Sequence, residues 1–267
     1  MISRIVRKLE RAITNVVPGA KFAIWSLRHP GGTFKEFYAD TVAGSLDGKR
    51  GHNSLGPRIK QERVASAEHA FHSLVSLGVR PGDKFVDYGC GTLRLGVLFI
   101  EYLEPDHYFG LDIDERILSA GRARLSPELI AAKRPVLEVI SPDSVSRVAA
   151  KQPRWVCSKG VLQHVPPDQM GSYFGSLATL LNGGGDGFLN ARLGNKLKRI
   201  APKTWVYEFE WLKEAAAMQG LDLKRLNGTR SSMSLRTRSG HSVPTGFQAT
   251  PSNQDLASDQ RSSDLGI

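Results

Sequence analysis

From Lys84 onward the sequence alternates between two kinds of segment, and this limits the fold more than any other feature. KFVDYG at 84–89, HYFGLDID at 107–114, PVLEVI at 135–140 and RWVCSKG at 154–160 are short, apolar and bounded by turn residues or charge, as buried strands are. Between them, LRLGVLFIEYL, ERILSAGRARL, DSVSRVAA and PDQMGSYFGSLATLL place apolar residues at helical spacing. A glycine turn and strand follow in GGGDGFLNARL and a helix in WVYEFEWLKEAAAMQG, with LDLKRL and SMSLRTR as two closing strands. Strands alternating with helices predict an α/β fold, a mainly parallel seven-stranded sheet with helices on both faces.

The flanks differ in character. Residues 1–60 hold 11 Lys and Arg against 4 Asp and Glu, as do residues 191–240, whereas 61–190 hold 13 against 15. Basic flanks attract nucleic acid, anionic lipid or an acidic substrate, or serve only as a soluble surface. The opening MISRIVRKLERAITNVV sets Ile2, Ile5, Val6, Leu9, Ile13 and Val16 at helical spacing beside Arg4, Arg7, Lys8 and Arg11. Such a basic amphipathic helix packs on its own domain or makes peripheral contact with a membrane. Residues 18–56 are rich in glycine, proline and polar side chains and read as an irregular extension that could act as a lid. A helix is expected over about Glu62–Leu77. The division is thus a basic extension at 1–60, the alternating domain at 61–238 and a disordered polar tail at 239–267. Apolar runs such as Leu95–Ile100 fall short of the roughly 20 residues a spanning helix needs. No secretory signal is expected at the start. The two cysteines, Cys90 and Cys157, match no metal-ligand spacing and suit a reducing cytoplasm.

Function rests first on the turn after the first strand, Asp87-Tyr88-Gly89-Cys90-Gly91-Thr92-Leu93-Arg94. Glycines at the carboxyl end of such a strand let a ligand approach the backbone. The dinucleotide fingerprint needs a third small residue where this chain has Arg94, which weakens a hydride-transfer reading. Asp87, two residues before Gly89, would repel a pyrophosphate and favour a cation.

This D-x-G-C-G-T pattern resembles the first motif of class I S-adenosylmethionine-dependent methyltransferases, which have a Rossmann-like fold. Further segments are similar to that family in the same order over about residues 80–227. Phe109-Gly110-Leu111-Asp112-Ile113-Asp114 resembles its G-x-D-x-S segment, Val161-Leu162-Gln163-His164-Val165-Pro166 its V-L-x-H-V-P, and LLNGGGDGFL its helix-to-strand glycine turn. The resemblance implies S-adenosyl-L-methionine as cofactor, with S-adenosyl-L-homocysteine as product. It also implies cofactor contacts at Asp87, Gly89, Cys90, Gly91, Asp112, Ile113 and Asp143. Asp87 would meet the amino end and Asp112, 21 residues after Gly91, the ribose hydroxyls. Asp143 either approaches the adenine amino group or caps a helix, and Asp114 is read as a cap. The family usually has glycine where this chain has Leu93, so Leu93 is expected to alter the first helical turn or the fit against the ligand.

His164 is the candidate catalytic base, with a structural role for the strand-to-helix turn as its alternative. Lys159 either binds an anionic acceptor or is simply solvated. Tyr207 and Trp211 line an acceptor pocket or lie in the core. Tyr38, His52 and Asn53 belong to the extension that could close over the ligand. The expected function is methyl transfer to an acceptor that is a small molecule or a biosynthetic intermediate. RNA methylation, suggested by the basic flanks, and a non-catalytic cofactor-binding or interaction protein are the alternatives. No base-flipping motif of the Asn/Asp-Pro-Pro-Tyr type stands at Ser158-Lys159-Gly160-Val161.

Overall fold

The computed structural model describes residue 17 and residues 19–44, 60–226 and 231–238, with side chains from residue 65 in the third helix. The amphipathic stretch at 1–16, His52, Asn53 and the polar stretch 239–267 lie outside the described residues. Two helices come first, α1 (Ala20–Arg28) and α2 (Phe34–Ala43), followed by α3 (Lys60–Ser76). Then β1 (Phe85–Tyr88), α4 (Gly96–Tyr102), β2 (Tyr108–Asp112), α5 (Glu115–Arg122), α6 (Pro127–Lys133), β3 (Val136–Val139) and α7 (Pro142–Ala149) alternate. The chain continues through β4 (Trp155–Ser158), two 3-10 turns, α8 (Met170–Leu181), β5 (Asp186–Asn190), β6 (Lys198–Ala201) and β7 (Thr204–Val206). It closes with α9 (Phe209–Ala217), β8 (Leu221–Arg225) and β9 (Ser232–Thr237).

Seven strands form one sheet in the order β3-β2-β1-β4-β5-β9-β8, while β6 and β7 form a separate hairpin. Strands β1 to β5 run parallel, and β9 enters antiparallel between β5 and β8. All four residues of β1, β2's five and β4's four are buried, as befits strands covered on both faces. Alternate side chains feed two apolar cores. Val86, Leu111, Val156 and Leu189 face the layer that includes α8, whereas Phe85, Tyr108, Cys157 and Phe188 face Leu74 and Phe99. Phe85 and Phe99 stack at 4.1 Å between ring centroids.

Three features differ from the sequence expectations. The stretch expected to be irregular carries α1 and α2, and Phe34 and Phe37 of α2 join the sheet's own core. A capping box starts α2: the Thr33 hydroxyl accepts from the Glu36 amide at 3.3 Å, and Glu36 accepts from the Thr33 amide at 2.7 Å. The helix expected from Trp205 begins only at Phe209, because Trp205 and Val206 pair with β6. Helix α6 also goes beyond the expected elements, with Ser126 as N-cap and Pro127 in its first turn.

Candidate active site

The carboxyl ends of β1, β2 and β4 open into a cavity of about 1150 Å³. Its floor is the turn after β1. Gly89 has φ +85°, and an added Cβ there would lie 2.2 Å from Val161 Cγ2, so both backbone angle and space require glycine. Gly91 has φ +57°, and its absent Cβ faces open space that a ligand can fill. Leu93 also takes the left-handed conformation, φ 57°, which costs a branched side chain about 1 kcal/mol or more. It is fully buried, and an added Cβ on Gly121 would come within 2.9 Å of its Cγ. Residues 91–95 form turns, and α4 starts only at Gly96. Leu93 turns into the core, whereas Arg94 lines the cavity.

Asp112, at the end of β2, is buried and ties the turn to the neighbouring strand. Its Oδ2 accepts from the Gly91 amide at 2.7 Å and its Oδ1 from the Ile113 amide at 2.8 Å. Burial raises its pKa to about 6 against the pull of those two amides. Asp87 is buried at the end of β1 and accepts from the Tyr108 hydroxyl at 3.0 Å. Gly96 makes room for that hydroxyl, since a Cβ there would lie 2.3 Å from it. Burial pushes Asp87 up to about 7; the Tyr108 hydrogen bond, Lys159 and Arg94 oppose the rise, and Asp112 adds to it. Cys90 and Ile113 complete this side of the cavity.

Asp143 is placed elsewhere. It is exposed in the first turn of α7 and absent from the cavity wall, which Ser141 and Pro142 supply instead. The cap of that helix is Ser141, in a reciprocal pair with Ser144, so Asp143 is not its cap. Asp114 does cap α5, accepting from the Arg116 amide at 2.8 Å.

Across the cavity, Gly160 follows β4 with its amide donating to Asn190 Oδ1 at 2.6 Å. His164 lines the wall beyond it. Its Nδ1 lies 2.5 Å from the carbonyl oxygen of Lys203, at the tip of the β6–β7 hairpin. A carbonyl only accepts, so the proton sits on Nδ1 and Nε2 keeps its lone pair. Burial lowers the His164 pKa to about 4, which leaves the ring neutral at physiological pH. Tyr38 of α2 packs 5.3 Å from the His164 ring, and the Lys203 ammonium lies 4.9 Å from the centre of the Tyr38 ring.

Helix α2 is tied over the cavity from three sides. Phe34 meets Trp205 of the hairpin edge-on at 5.1 Å, with the Arg199 guanidinium 4.9 Å from the Trp205 ring centre. Lys35 donates to the Ile140 carbonyl at 3.3 Å, and Arg116 bridges Asp40 at 2.9 Å to Asp114 at 2.7 Å. Tyr207 and Trp211 stack on each other at 5.3 Å away from the cavity wall, so they are packing residues. Tyr207's hydroxyl donates to the Val165 carbonyl, steadying the His164 turn from behind. Lys203 and Tyr108 escaped the sequence reading. The hairpin had a signal in KRIAPKTWV, two alternating runs about a Pro-Lys turn.

The sheet order, with one antiparallel strand beside the outermost, meets solved structures of similar shape. Magnesium protoporphyrin IX methyltransferase from Synechocystis PCC 6803 with bound S-adenosylmethionine matches 78% of this chain and 98% of its own, with a TM-score of 0.56 and 17% identity. The chain has the class I methyltransferase fold. Phosphoethanolamine N-methyltransferase 1 of Haemonchus contortus, in complex with phosphoethanolamine and S-adenosylhomocysteine, matches 79% of this chain and 50% of its own, with a TM-score of 0.51 and 13% identity. A structure from work on the conversion of a disulfide bond into a thioacetal group during echinomycin biosynthesis has a TM-score of 0.52 and 16% identity. It covers 78% of this chain and 94% of its own. No protein-family model and no curated protein matches the sequence. In this chain β8 and β9 close the sheet, and the β6–β7 hairpin lies between β5 and α9.

Proposed function

We propose that this chain is an enzyme that transfers a methyl group from S-adenosyl-L-methionine to a small-molecule acceptor. One observation carries the reading: two buried carboxylates, Asp87 and Asp112, stand at neighbouring strand ends around Gly91, whose missing Cβ leaves space for a ligand. The donor set suits a molecule with an ammonium and a ribose diol and no phosphate. Asp87 holds the ammonium. Asp112, with one amide on each carboxylate oxygen, offers its remaining lone pairs to the ribose hydroxyls. Gly89, Cys90, Gly91 and Ile113 present backbone and small surfaces to the ligand between them.

When bound, the cofactor supplies a methyl group already made electrophilic by its sulfonium. The chain's task is then to position the acceptor and exclude water. Phe34 and Tyr38 close the cavity above, so α2 serves as a lid on the domain at 61–238. His164 Nε2 accepts a hydrogen bond from the acceptor. Held neutral, the imidazole orients a hydroxyl or amine and takes its proton as the methyl arrives. The acceptor class draws support from the structural neighbours, whose names give magnesium protoporphyrin IX and phosphoethanolamine as small molecules they act on or hold. Cys90 and Cys157 are free and buried, as suits a cytoplasmic enzyme. Among the described residues no helix is long and apolar enough to cross a membrane.

Calorimetry with S-adenosylhomocysteine tests the reading. One molecule is expected to bind per chain and to raise the melting temperature. Asp112→Ala should weaken binding by about 100-fold through lost charged hydrogen bonds. No heat at millimolar ligand with folded protein would refute the cofactor. Labelled-methyl transfer into fractionated metabolites, RNA and protein then identifies the acceptor, and label confined to RNA would overturn the small-molecule class.

A further inference from the structure

Helix α1 carries apolar residues on two faces, and only one face is packed. Phe22 and Trp25 lie against Phe34 and Phe37 of α2 and the core they belong to. Ala20, Ala23, Ile24 and Leu27 recur at helical spacing on the other side. None of these four joins either core, and Leu27 is 82% exposed. Residues 17–32 contain Lys21 and Arg28 and no Asp or Glu. The β6–β7 hairpin stands beside the start of this helix. An added Cβ on Gly19 would come within 3.2 Å of the Arg199 guanidinium, and burial and then the charge of Lys21 lower the Lys203 pKa to about 7. Residues 191–206 hold five Lys and Arg and no acid. Strand alternation turns Arg199 inward over Phe34 and Trp205 and leaves Lys198 and Ile200 facing outward. Leu197 and Ile200 are 38% and 41% exposed, beside the exposed Lys196 and Lys198. The acids that meet these segments are engaged. Asp40 accepts from the Trp25 indole at 3.3 Å and pairs with Arg116, and Glu208 accepts from the Leu197 amide at 3.2 Å.

Exposed alkyl groups interleaved with cations suit a surface that is anionic outside and apolar beneath. We propose that α1 and the adjoining β6–β7 hairpin dock on the surface of an anionic lipid bilayer. Ile24 and Leu27 enter the boundary between headgroups and acyl chains, while Lys21, Lys196 and Lys198 meet the lipid phosphates. Charge argues against the other occupants. A second copy would set these cations against their equivalents, and residues 1–16 themselves hold four Lys and Arg against one Glu. RNA would satisfy the cations and leave Ile24 and Leu27 without a partner. The same hairpin supplies the carbonyl that holds His164, so docking brings lipid close to the cavity wall that carries His164.

Flotation of the whole chain with vesicles tests the docking. Vesicles of phosphatidylcholine with about one-third phosphatidylglycerol are expected to carry the protein, and vesicles of phosphatidylcholine alone to leave it behind. Leu27→Ser should weaken binding about tenfold, as loss of a leucine side chain from an apolar phase implies, and Lys198→Gln about fivefold. Leu27 is exposed and outside both cores, so its replacement leaves folding intact. Ile130→Ser serves as the control and should bind unchanged. Ile130 is 40% exposed on α6, whose Leu129 packs on the opposite core. No flotation with the anionic vesicles would overturn the docking. Flotation that Leu27→Ser leaves unchanged would overturn the assignment to α1, by placing the contact elsewhere in the chain. A dimer in sedimentation velocity that Leu27→Ser dissolves would give the face to a second copy. Retention of RNA without retention of vesicles would give it to nucleic acid. None of these outcomes depends on S-adenosylhomocysteine binding, so the cofactor reading stands or falls separately.

Discussion

The two halves of the cavity are built in opposite ways. The half around Asp87, Gly91 and Asp112 belongs to neighbouring strand ends, and two backbone amides hold it through Asp112. The half around His164 is gathered from α2, the turn after β4 and the β6–β7 hairpin, and its contacts are aromatic faces, one carbonyl and exposed ion pairs. The first half has the rigidity of the sheet. The second depends on packing between segments distant in the chain, so it can vary in shape without disturbing the cofactor side. Under the proposed function, that division fits a common cofactor and a specific acceptor.

The largest effect that this contrast predicts is at Gly89. Gly89→Ala brings a Cβ against the branched Val161 side chain at a positive φ, and about 2–5 kcal/mol of destabilisation is expected. Adding Val161→Ala should restore only the part due to the clash. Chemical denaturation of the single and double variants measures both, and full recovery would show that the backbone angle is not costly there.

A second consequence concerns pH. Asp87 and Asp112 hold their protons up to about pH 7 and 6 without ligand, whereas an ammonium and a ribose diol favour the ionised forms. Affinity for S-adenosylhomocysteine should therefore rise with pH from 5.5 to 7.5, by up to about tenfold per unit where one of them titrates. Proton release in buffers of different ionisation enthalpy gives an independent measure. Affinity independent of pH would show that the carboxylates are already ionised. The sign for folding is opposite. The native state holds these carboxyl protons after the unfolded chain has lost them near pH 4, so this pair lowers unliganded stability as pH rises through 6 and 7. His164, with its pKa lowered to about 4, acts the other way, because only the unfolded chain takes up its proton between pH 6.5 and 4.

The smallest effect belongs to the far half. Arg116→Ala removes the exposed bridge from Asp114 to Asp40, worth about 0–1 kcal/mol, and should loosen α2 with little change in melting temperature. Faster proteolysis near α2, with unchanged S-adenosylhomocysteine affinity, would keep the two halves separate. A matching loss of cofactor affinity would join them.

The same contrast explains which parts of the molecule are legible in the sequence. Strands β1 to β5 announce themselves by short apolar runs. Asp87, Gly89, Gly91 and Asp112 stand where strand ends and a turn of restricted backbone angle require them. Sequence does not separate Asp143 from Ser141, two residues earlier, as the cap; Ser141 takes that place with Ser144. Helices α1 and α2 were hidden by the surrounding glycine and proline, and α2 takes its place through Phe34 and Phe37 in the shared core. Leu93 stands out in the turn's sequence, yet its destination depends on the space that Gly121 leaves on another helix.

Residue order alone therefore carried the sheet, its glycine turn and the two carboxylates, since periodicity and backbone stereochemistry act over a few neighbouring residues. The orientation of His164, the closure by α2 and the union of Arg94 and Lys159 with Asp87 came from the folded chain. A carbonyl 39 residues away fixes the imidazole tautomer, and a lysine bond spanning 105 residues fastens α2 to the end of β3. Contacts of that kind leave no local spacing to read, because they exist once packing has brought the distant surfaces together.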